Sequence, residues 1–589
     1  MLPLSAFRVI WGGALALATV PAWGVPFNIG AVEGQFDSKL SLSSAWGTAS
    51  PSQRLIGAAN GGTGYSAIGD DGRKNFRQGE AFTRLLSGEH ALELRYGNSG
   101  AYLKGRYWYD FELKDDSRRF KAIDDGGRAQ SSKASGGELL DAYVWHNYQL
   151  GDEPGTLRLG RQVLGWGQAE FIGGGIGAIN PHEAATWSRP GSTWRSNLRP
   201  ASLLYLNQNL TDRLAIDGFY QLKWTADSQA NCGTFMATSD VLAQGCDRNL
   251  ALGPTQAALA AQLNSLGSAQ RQAALQAASA QGARFASPDE GVLISRGKDR
   301  DARDGGQFGL AVHYQLDQWN TDLGAYAMNY HSRAPIFAGT GASASNLAGA
   351  LASAGVPASA EVLDALQPSV AAGRSGYYLR YPQNIHLLGL SFSSTLPAGT
   401  RWKGEVSYRP NAPVQQNWLQ VLDQAASGID TAGYRRKAVT QVQTSLAHTF
   451  DGGLGADSFE LAGEVGAVHV AGLGDGLDYG RDPVYGRAPG AGFTTANAWG
   501  YRARAVWTFN DVLPRLAVKP SLGWSHDVSG YSPQPEGTFE QGRKAVSVGL
   551  GTDYQRTWSA DLTYTAFFGG RYSTLADRDF LSLSTSVRF

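Results

Sequence analysis

Apolar and polar residues alternate with a period of two along much of the chain. In the last ten residues, Leu581, Leu583, Val587 and Phe589 share one face, whereas serines and Arg588 occupy the other. Successive side chains of a β-strand point to opposite faces, so this pattern predicts strands with one apolar and one polar face. We predict eighteen such strands, at residues 34–47, 83–96, 99–112, 137–150, 155–166, 200–210, 213–224, 306–316, 319–331, 384–396, 399–410, 436–450, 456–470, 497–509, 514–527, 543–555, 558–570 and 577–589.

The connections between these strands are alternately short and long. Short turns at one end and long loops at the other are typical of transmembrane barrels. A soluble sandwich also has alternating strands, but here the polar faces carry charges of both signs beside Gly and Ser, and aromatic residues gather near strand ends. The chain also ends on an aromatic residue, Phe589. We therefore predict an all-β protein, a transmembrane antiparallel β-barrel of about 18 strands (16–18), with long extracellular loops that contain short helices.

Two of the predicted extracellular loops, 225–305 and 332–383, are much longer than the others. The Ala- and Gln-rich stretch 254–286 favours helix, and 343–366 contains two shorter candidate helices. These helices would either form a lid or apolar reception surface at the mouth, or pack on one another over the barrel.

The N-terminus has the features of a secretory signal peptide. Arg8 precedes the short apolar run 9–20, and the small residues Ala22 and Gly24 follow. We predict a signal peptide at 1–24, a single barrel domain at 25–589, and export to the outer membrane of a Gram-negative bacterium. A buried N-terminal helix is the alternative.

The only two cysteines, Cys232 and Cys246, lie close together in the longest predicted loop. An isolated close pair in an oxidising compartment predicts one disulfide bond. A metal site would need more ligands, and no His lies between the two cysteines.

Composition narrows the choice of class. The chain has 75 Gly in 589 residues, 17% charged residues and a formal net charge of zero. The usual Gly share is about 7%, and the excess fits strands with bare lumenal positions and a glycine-rich insertion. Zero net charge offers no basic surface for nucleic acid, and after residue 24 no apolar run is long enough for a membrane helix. The predicted partner of the barrel surface is therefore the lipid of the outer membrane.

A glycine-rich segment follows the predicted strand 155–166. The alternation of lipid-facing and lumen-facing positions, here called parity, fails in this strand. Leu157 and Leu159 would face lipid, and Arg161 would then point the same way. This predicts a bulge or an inward turn. The candidate constriction or plug consists of Phe171, Ile172, Gly173, Gly174, Gly175, Asn180 and Pro181. A tightly packed outer loop is the alternative.

Charged residues on the polar faces predict the lining of the lumen. The candidates are Arg106, Asp110, Arg401, Lys403, Glu405, Arg409, Arg502 and Arg504. Their mixed signs indicate no preference for anions or cations.

No catalytic or cofactor site is predicted. The nearest approach to a catalytic pair is His331 with Ser332, but neighbours on a strand point to opposite faces. The acidic loops 70–72, 301–306 and 475–483 are candidate Ca²⁺ ligands, since carboxylates and carbonyls suit that ion. None has the spacing of an EF-hand, and simple turns are the alternative.

Several separated motifs resemble one bacterial family. They are GDDGRKNF (69–76), LRLGRQVLGWGQAEFIGGGIGAINP (157–181), DARDGGQFGLAVHY (301–314), MNYHSR (328–333), GEVSYRPN (404–411), GYRRK (433–437) and DRDFLSLS (577–584). Together they resemble domain-of-unknown-function family 1302, whose members have similar length. The resemblance implies an outer-membrane location. It also implies a gene that lies beside genes for the catabolism of hydrophobic substrates and for transporters of the resistance-nodulation-division type. It implies no catalytic residues.

The favoured function is a channel for uptake or export of small amphipathic or hydrophobic molecules, by analogy with the long-chain fatty-acid type of channel and not with an open porin. The alternative is a surface receptor or scaffold that acts through its loops with an envelope transport system. A periplasmic or inner-membrane transport protein is then a candidate partner. An outer-membrane lipase is the least favoured function.

Overall fold

The computed structural model describes residues 24–183 and 197–589, except residues 248, 286, 288, 289 and 454. The predicted signal peptide, apart from Gly24, lies outside the described residues. The strands are β1 (Val25–Ile29), β2 (Val32–Gly47), β3 (Ala81–Tyr96), β4 (Ser99–Asp110), β5 (Ser135–Leu150), β6 (Glu153–Gln162), β7 (Ala201–Thr211), β8 (Leu214–Lys223), β9 (Ala251–Leu252), β10 (Val292–Leu293), β11 (Ser295–Arg296), β12 (Phe308–Leu316), β13 (Thr321–Tyr330), β14 (Ile336–Thr340), β15 (Gly376–Arg380), β16 (Ile385–Thr395), β17 (Arg401–Gln415), β18 (Tyr434–Gly453), β19 (Ala456–Val470), β20 (Asn497–Leu513), β21 (Leu516–Ser529), β22 (Arg543–Tyr554), β23 (Trp558–Gly569) and β24 (Phe580–Arg588). The helices are α1 (Asp71–Asn75), α2 (Phe111–Lys114), α3 (Gln256–Gln262), α4 (Ser268–Ala280), α5 (Leu347–Ser353), α6 (Ala360–Arg374) and α7 (Trp418–Ala426).

Eighteen of these strands form a closed antiparallel barrel. Strands β2–β8, β12, β13 and β16–β24 pair in chain order, and β24 returns to pair with β2. The predicted fold and strand number are confirmed. Closure satisfies the backbone of every strand without leaving a sheet edge, which spanning a bilayer requires. The short strand β1 is an addition that sequence alone did not predict, and it pairs with the start of β2.

Several predicted strand ends differ from the structure, and two of them differ for local reasons. The strand predicted at 99–112 ends at Asp110, whose carboxylate accepts the N–H groups of Glu112 and Leu113 and so caps helix α2. The strand predicted at 155–166 ends at Gln162, after which the chain leaves the wall of the barrel.

The outer face of the barrel is an apolar belt. Its exposed members include Leu42, Leu86, Leu103, Val144, Leu157, Leu204, Leu310, Leu388, Leu390, Val442, Leu446, Leu461, Leu522, Val548 and Leu562. Exposed aromatic residues include Tyr96, Trp319, Trp402, Trp499, Trp558 and Phe568. An apolar band with aromatic girdles is the surface that a transmembrane barrel presents to lipid.

The long loops all leave the same end of the barrel and build a cap there. Helices α3 and α4 lie in the predicted stretch 254–286, and α5 and α6 begin in 343–366, which confirms helix in both places. These four helices bury a shared apolar cluster that includes Leu259, Leu351 and Leu366. Cys232 and Cys246 form the predicted disulfide bond in the same cap. No helix in the described part of the chain is long and apolar enough to cross a membrane.

Candidate lumenal constriction

The segment 163–183, here called the inward segment, leaves β6 and enters the lumen. Its glycines allow the sharp turns, since Gly174 and Gly175 have φ values of 88° and 64°. Side chains other than Gly rarely adopt this left-handed region. The segment reaches β17 and β19, and β19 lies eight strands round the ring from β6, on nearly the opposite wall.

Two lumenal carboxylates accept the backbone N–H groups of the inward segment. Glu464 on β19 accepts from Glu170 at 3.1 Å and from Phe171 and Ile172 at 2.6 Å. Glu405 on β17 accepts from Gln168 at 2.5 Å and from Ile176 at 3.2 Å. Successive N–H groups around one carboxylate form an anion-binding concavity. The two glutamates thus satisfy backbone donors that have no neighbouring strand.

Amide side chains on β18 complete this contact. Gln441 donates to the carbonyl of Gly173 at 2.9 Å, and Gln443 donates to Glu405 at 3.2 Å. Lys403 Nζ lies 3.2 Å from a carboxylate oxygen of Glu170. The wall therefore holds the segment through its backbone and through one ion pair.

Apolar side chains of the segment fit over glycines of the wall. An added Cβ at Gly389 would lie 2.7 Å from Ile176 Cγ1. An added Cβ at Gly466 would lie 3.1 Å from Ile172 Cδ1. Both isoleucines are buried. The bare lumenal positions of β16 and β19 therefore create the space that these side chains occupy.

The base of the segment rests on an apolar half of the lumen. Trp166 and Ile179 pack with Leu203, Phe219 and Tyr326, which face inward from β7, β8 and β13. Asn180 closes the base, because its side chain bonds to both the N–H and the carbonyl of Leu164. The carbonyl of Pro181 accepts from the N–H of Arg199 at 2.7 Å.

All seven residues of the predicted constriction therefore belong to the inward segment, in two groups. Residues 171–175 contact the far wall, whereas Asn180 and Pro181 anchor the return to β7.

A second inward loop, 530–542, was missed by sequence reasoning. Its Glu536 accepts from Arg409 at 2.6 Å, and its Phe539 is buried beside Ile172. An added Cβ at Gly500 would lie 2.9 Å from Phe539 Cδ1. A glycine on the lumenal face of β20 was the only local signal that could have indicated this insertion.

The predicted lumen-lining residues have different environments. Arg106 pairs with Glu138 and Glu183, and Arg502 on β20 donates to Asp527 at 2.6 Å. Lys403, Glu405 and Arg409 hold the two inward loops. Arg401 and Arg504 are exposed on the same faces of their strands. Asp110 differs from the prediction, because it is buried as the cap of α2 and does not line open lumen.

Comparison with known proteins places the chain in a family. The model for proteins of unknown function DUF1302 matches residues 5–589. The chain belongs to the DUF1302 family. The resemblance seen in the sequence motifs is thereby confirmed. No curated protein resembles this DUF1302 chain significantly in sequence.

Several solved structures are similar in fold to this DUF1302 protein. OpdK of Pseudomonas aeruginosa with vanillate is 10% identical, with a TM-score of 0.40 over 94% of this chain and 98% of OpdK. OccAB1 of Acinetobacter baumannii is 10% identical, with a TM-score of 0.41 over 95% and 97%. The outer-membrane channel DcaP of Acinetobacter baumannii is 7% identical, with a TM-score of 0.36 over 96% and 100%.

The pair considered for a lipase is engaged with backbone groups. In this DUF1302 chain His331 Nε2 lies 3.1 Å from the carbonyl of Gly305, and Nδ1 accepts from the N–H of Asn384. The hydroxyl of Ser332 donates to the carbonyl of Ala334 at 2.8 Å. The two side chains do not form a hydrogen-bonded nucleophile and base.

One acidic loop of the DUF1302 chain gains a third carboxylate in the cap. Within the described residues, Asp70 and Asp71 join Asp240 in a buried group whose ligand atoms lie within 4.8 Å of one another. Lys121 Nζ lies 3.0 Å from Asp71. Burial, followed by the charge of Asp240, raises the pKa of Asp71 to about 8, and burial also raises the pKa of Asp70 and Asp240. Ca²⁺ binding by any of the three loops stays a prediction.

Proposed function

We propose that the protein is an outer-membrane channel for small amphipathic solutes, narrowed by the inward segment. The observation that carries this proposal is the anchoring of that segment by Glu405 and Glu464 on the opposite wall. A closed barrel with an apolar belt has its polar faces inside, around a passage. A segment held across such a lumen reduces its cross-section and selects what passes.

The route lies on the side that the inward segment leaves free. Strands β21–β24 and β2 present small residues to the lumen: Ser521, Gly523, Ser547, Gly549, Thr563, Thr565, Ser582, Ser584, Ser41 and Ser43. Such a wall takes up little volume and offers hydroxyl groups to a polar solute. The aromatic rings of Tyr102 on β4, Tyr143 on β5 and Tyr205 on β7 offer contacts for the apolar part of the solute.

Single-channel conductance in planar bilayers tests the constriction. Residues 168–176 are replaced by a short Gly-Ser linker. The two ends of this stretch lie close together, since an added Cβ at Gly177 would be 3.8 Å from the carbonyl oxygen of Trp166, so a short linker can join them. We expect conductance to rise about twofold or more, because the obstruction is removed.

A point variant and its control accompany the deletion. In Glu464→Gln the amide turns a donor toward N–H groups that need an acceptor, so we expect noisier and larger currents. Glu460→Gln lies on the same face of β19 and has no hydrogen bond or ion pair among the described residues, so we expect wild-type currents. Unchanged conductance after the deletion would refute the constriction, and no conductance in any variant would refute the channel.

The direction of transport and a role as receptor or scaffold with an envelope transport partner stay predictions.

A further inference from the structure

A second lumenal feature lies near the short-turn end of the barrel, away from the inward segment. It is a cavity of about 650 Å³ in the wall formed by the starts and ends of β2–β6. Its lining combines charged, aromatic and uncharged polar side chains: Glu33, Glu93, Arg95, Tyr143, Trp145, Asn147, Thr156 and Arg158.

Strand register places an arginine of this cavity among aromatic rings, of which Tyr143 and Trp145 line the cavity itself. Arg158 on β6 lies directly opposite Trp145 on β5 and Tyr205 on β7. Tyr143, two positions before Trp145, lies opposite Tyr102 on β4, and their ring centroids are 5.5 Å apart. Residues of one parity share a face, so all five side chains point into the lumen.

Arg158 differs in its partners from three other lumenal arginines. Arg95 pairs with Glu93, Arg106 with Glu138 and Arg502 with Asp527. In the described part of the chain Arg158 has no ion pair, and its guanidinium carbon lies 5.9 Å and 5.6 Å from the ring centroids of Tyr143 and Tyr205. A guanidinium held over rings keeps its planar fork of donors available for a carboxylate.

We propose that this cavity binds small monocarboxylates with a flat, aromatic body. Arg158 receives the carboxylate, and the rings of Tyr143, Trp145 and Tyr205 flank the body of the solute. Glu33 lines the same cavity without an ion pair among the described residues, so it disfavours a second negative charge on the solute. The site names a solute class for the channel and thus rests on the function proposed above.

Calorimetric titration of the full-length protein in detergent with benzoate tests this site. We expect benzoate to bind at least about 10-fold more tightly than benzamide, which keeps the ring and lacks the charge, and than acetate, which lacks the ring. Phthalate, with a second carboxylate, is expected to bind more weakly than benzoate. Equal binding of benzoate and benzamide would overturn the proposal.

Variants locate the binding. Arg158→Gln is expected to weaken benzoate binding about 10-fold or more, and Arg158→Lys to restore part of it, because a point charge replaces a bidentate fork. The control is Arg504→Gln, which removes an exposed arginine of β20 on another part of the lumen and should change the affinity by less than about twofold. Equal losses in both glutamine variants would show a general field effect and overturn the site. Heat-modifiable gel mobility verifies folding, and if Arg158→Gln does not fold, Arg158→Lys and the solute series decide.

Conductance measured on the same preparations separates the two proposals. Conductance without benzoate binding refutes this site and leaves the channel. Benzoate binding that depends on Arg158, without conductance, refutes the channel and leaves the site.

Discussion

At the scale of the residue, glutamates of the barrel wall bind the backbone of the inward segment, and glycines of the wall leave room for its side chains. Glu405 and Glu464 replace the strand that the inward segment lacks, because each carboxylate oxygen can accept more than one N–H. Gly389 and Gly466 provide the depth for Ile176 and Ile172. At these two positions the lumenal glycine marks the place of a side chain inserted from the inward segment.

Adding a methyl group at Gly389 tests this fit. Gly389→Ala would place Cβ 2.7 Å from Ile176 Cγ1, closer than packed carbons tolerate. We expect a loss of about 1–3 kcal/mol in the free energy of unfolding, measured by denaturant titration of the refolded barrel. Ile176→Ala in the same chain should recover part of that loss.

The matched control is Gly523→Ala, at a lumenal glycine where an added Cβ would meet Ser547 Cβ at an ordinary 3.5 Å. Equal costs at Gly389 and Gly523 would contradict the proposed fit.

At the scale of the element, the cap is tied together by buried charges from separate loops. Arg73, in the loop between β2 and β3, pairs with Asp577 before β24 at 2.9 Å. Asp240, which belongs to a third loop, accepts the backbone N–H of Asp71. The motifs at 69–76 and 577–584 thus meet in space, although hundreds of residues separate them.

The raised pKa of Asp71 makes the cap sensitive to pH. The folded cap binds a proton on Asp71 more tightly than an opened cap does, since the ordinary pKa is 3.8 and the folded pKa is about 8. This contribution to stability is complete below about pH 4 and is lost as the pH rises toward 8. We expect protease protection of the cap to fall from pH 5 to pH 9.

Asp71→Asn, a neutral mimic of the acid, should flatten that pH dependence, even though it loses the ion pair with Lys121. The control is Asp364→Asn, at an exposed position of α6. It is digested under the same conditions and so corrects for the effect of pH on the protease itself. A parallel pH profile in wild type and Asp71→Asn would show that this carboxyl group is not responsible.

At the scale of the whole molecule, closure depends on one pairing between the two ends of the chain. Residues 39–47 of β2 pair with residues 580–588 of β24. The two halves of the lumen then differ, with apolar residues on β7–β16 under the inward segment and small hydroxylated residues on β21–β24. The solute route that we propose therefore lies beside β21–β24.

Removing residues 580–589 should abolish the barrel, because β2 and β23 would both become unpaired edges in lipid. Removing residues 25–31 takes away only β1 and its turn, and β2 keeps its partners β3 and β24. We expect heat-modifiable gel mobility after liposome insertion in the second variant and not in the first. A folded first variant would contradict the dependence on this closing pair.

Sequence alone determined the barrel, the number of strands, the position of the cap helices and the disulfide bond, because each follows from a local pattern. Alternation shows which residues share a face, and turn length shows which end they reach. It also located the inward segment through a failure of parity near Arg161 and a run of glycines.

Only the tertiary structure decided what each lumenal residue meets. Glu464 and Glu460 have the same parity on one strand, yet only Glu464 holds the inward segment. The loop with Phe539, the charge cluster around Asp71 and the aromatic surroundings of Arg158 were likewise absent from the local pattern. Parity distinguishes lumen from lipid but carries no information about depth or about contacts across the lumen, which depend on strand register and barrel closure.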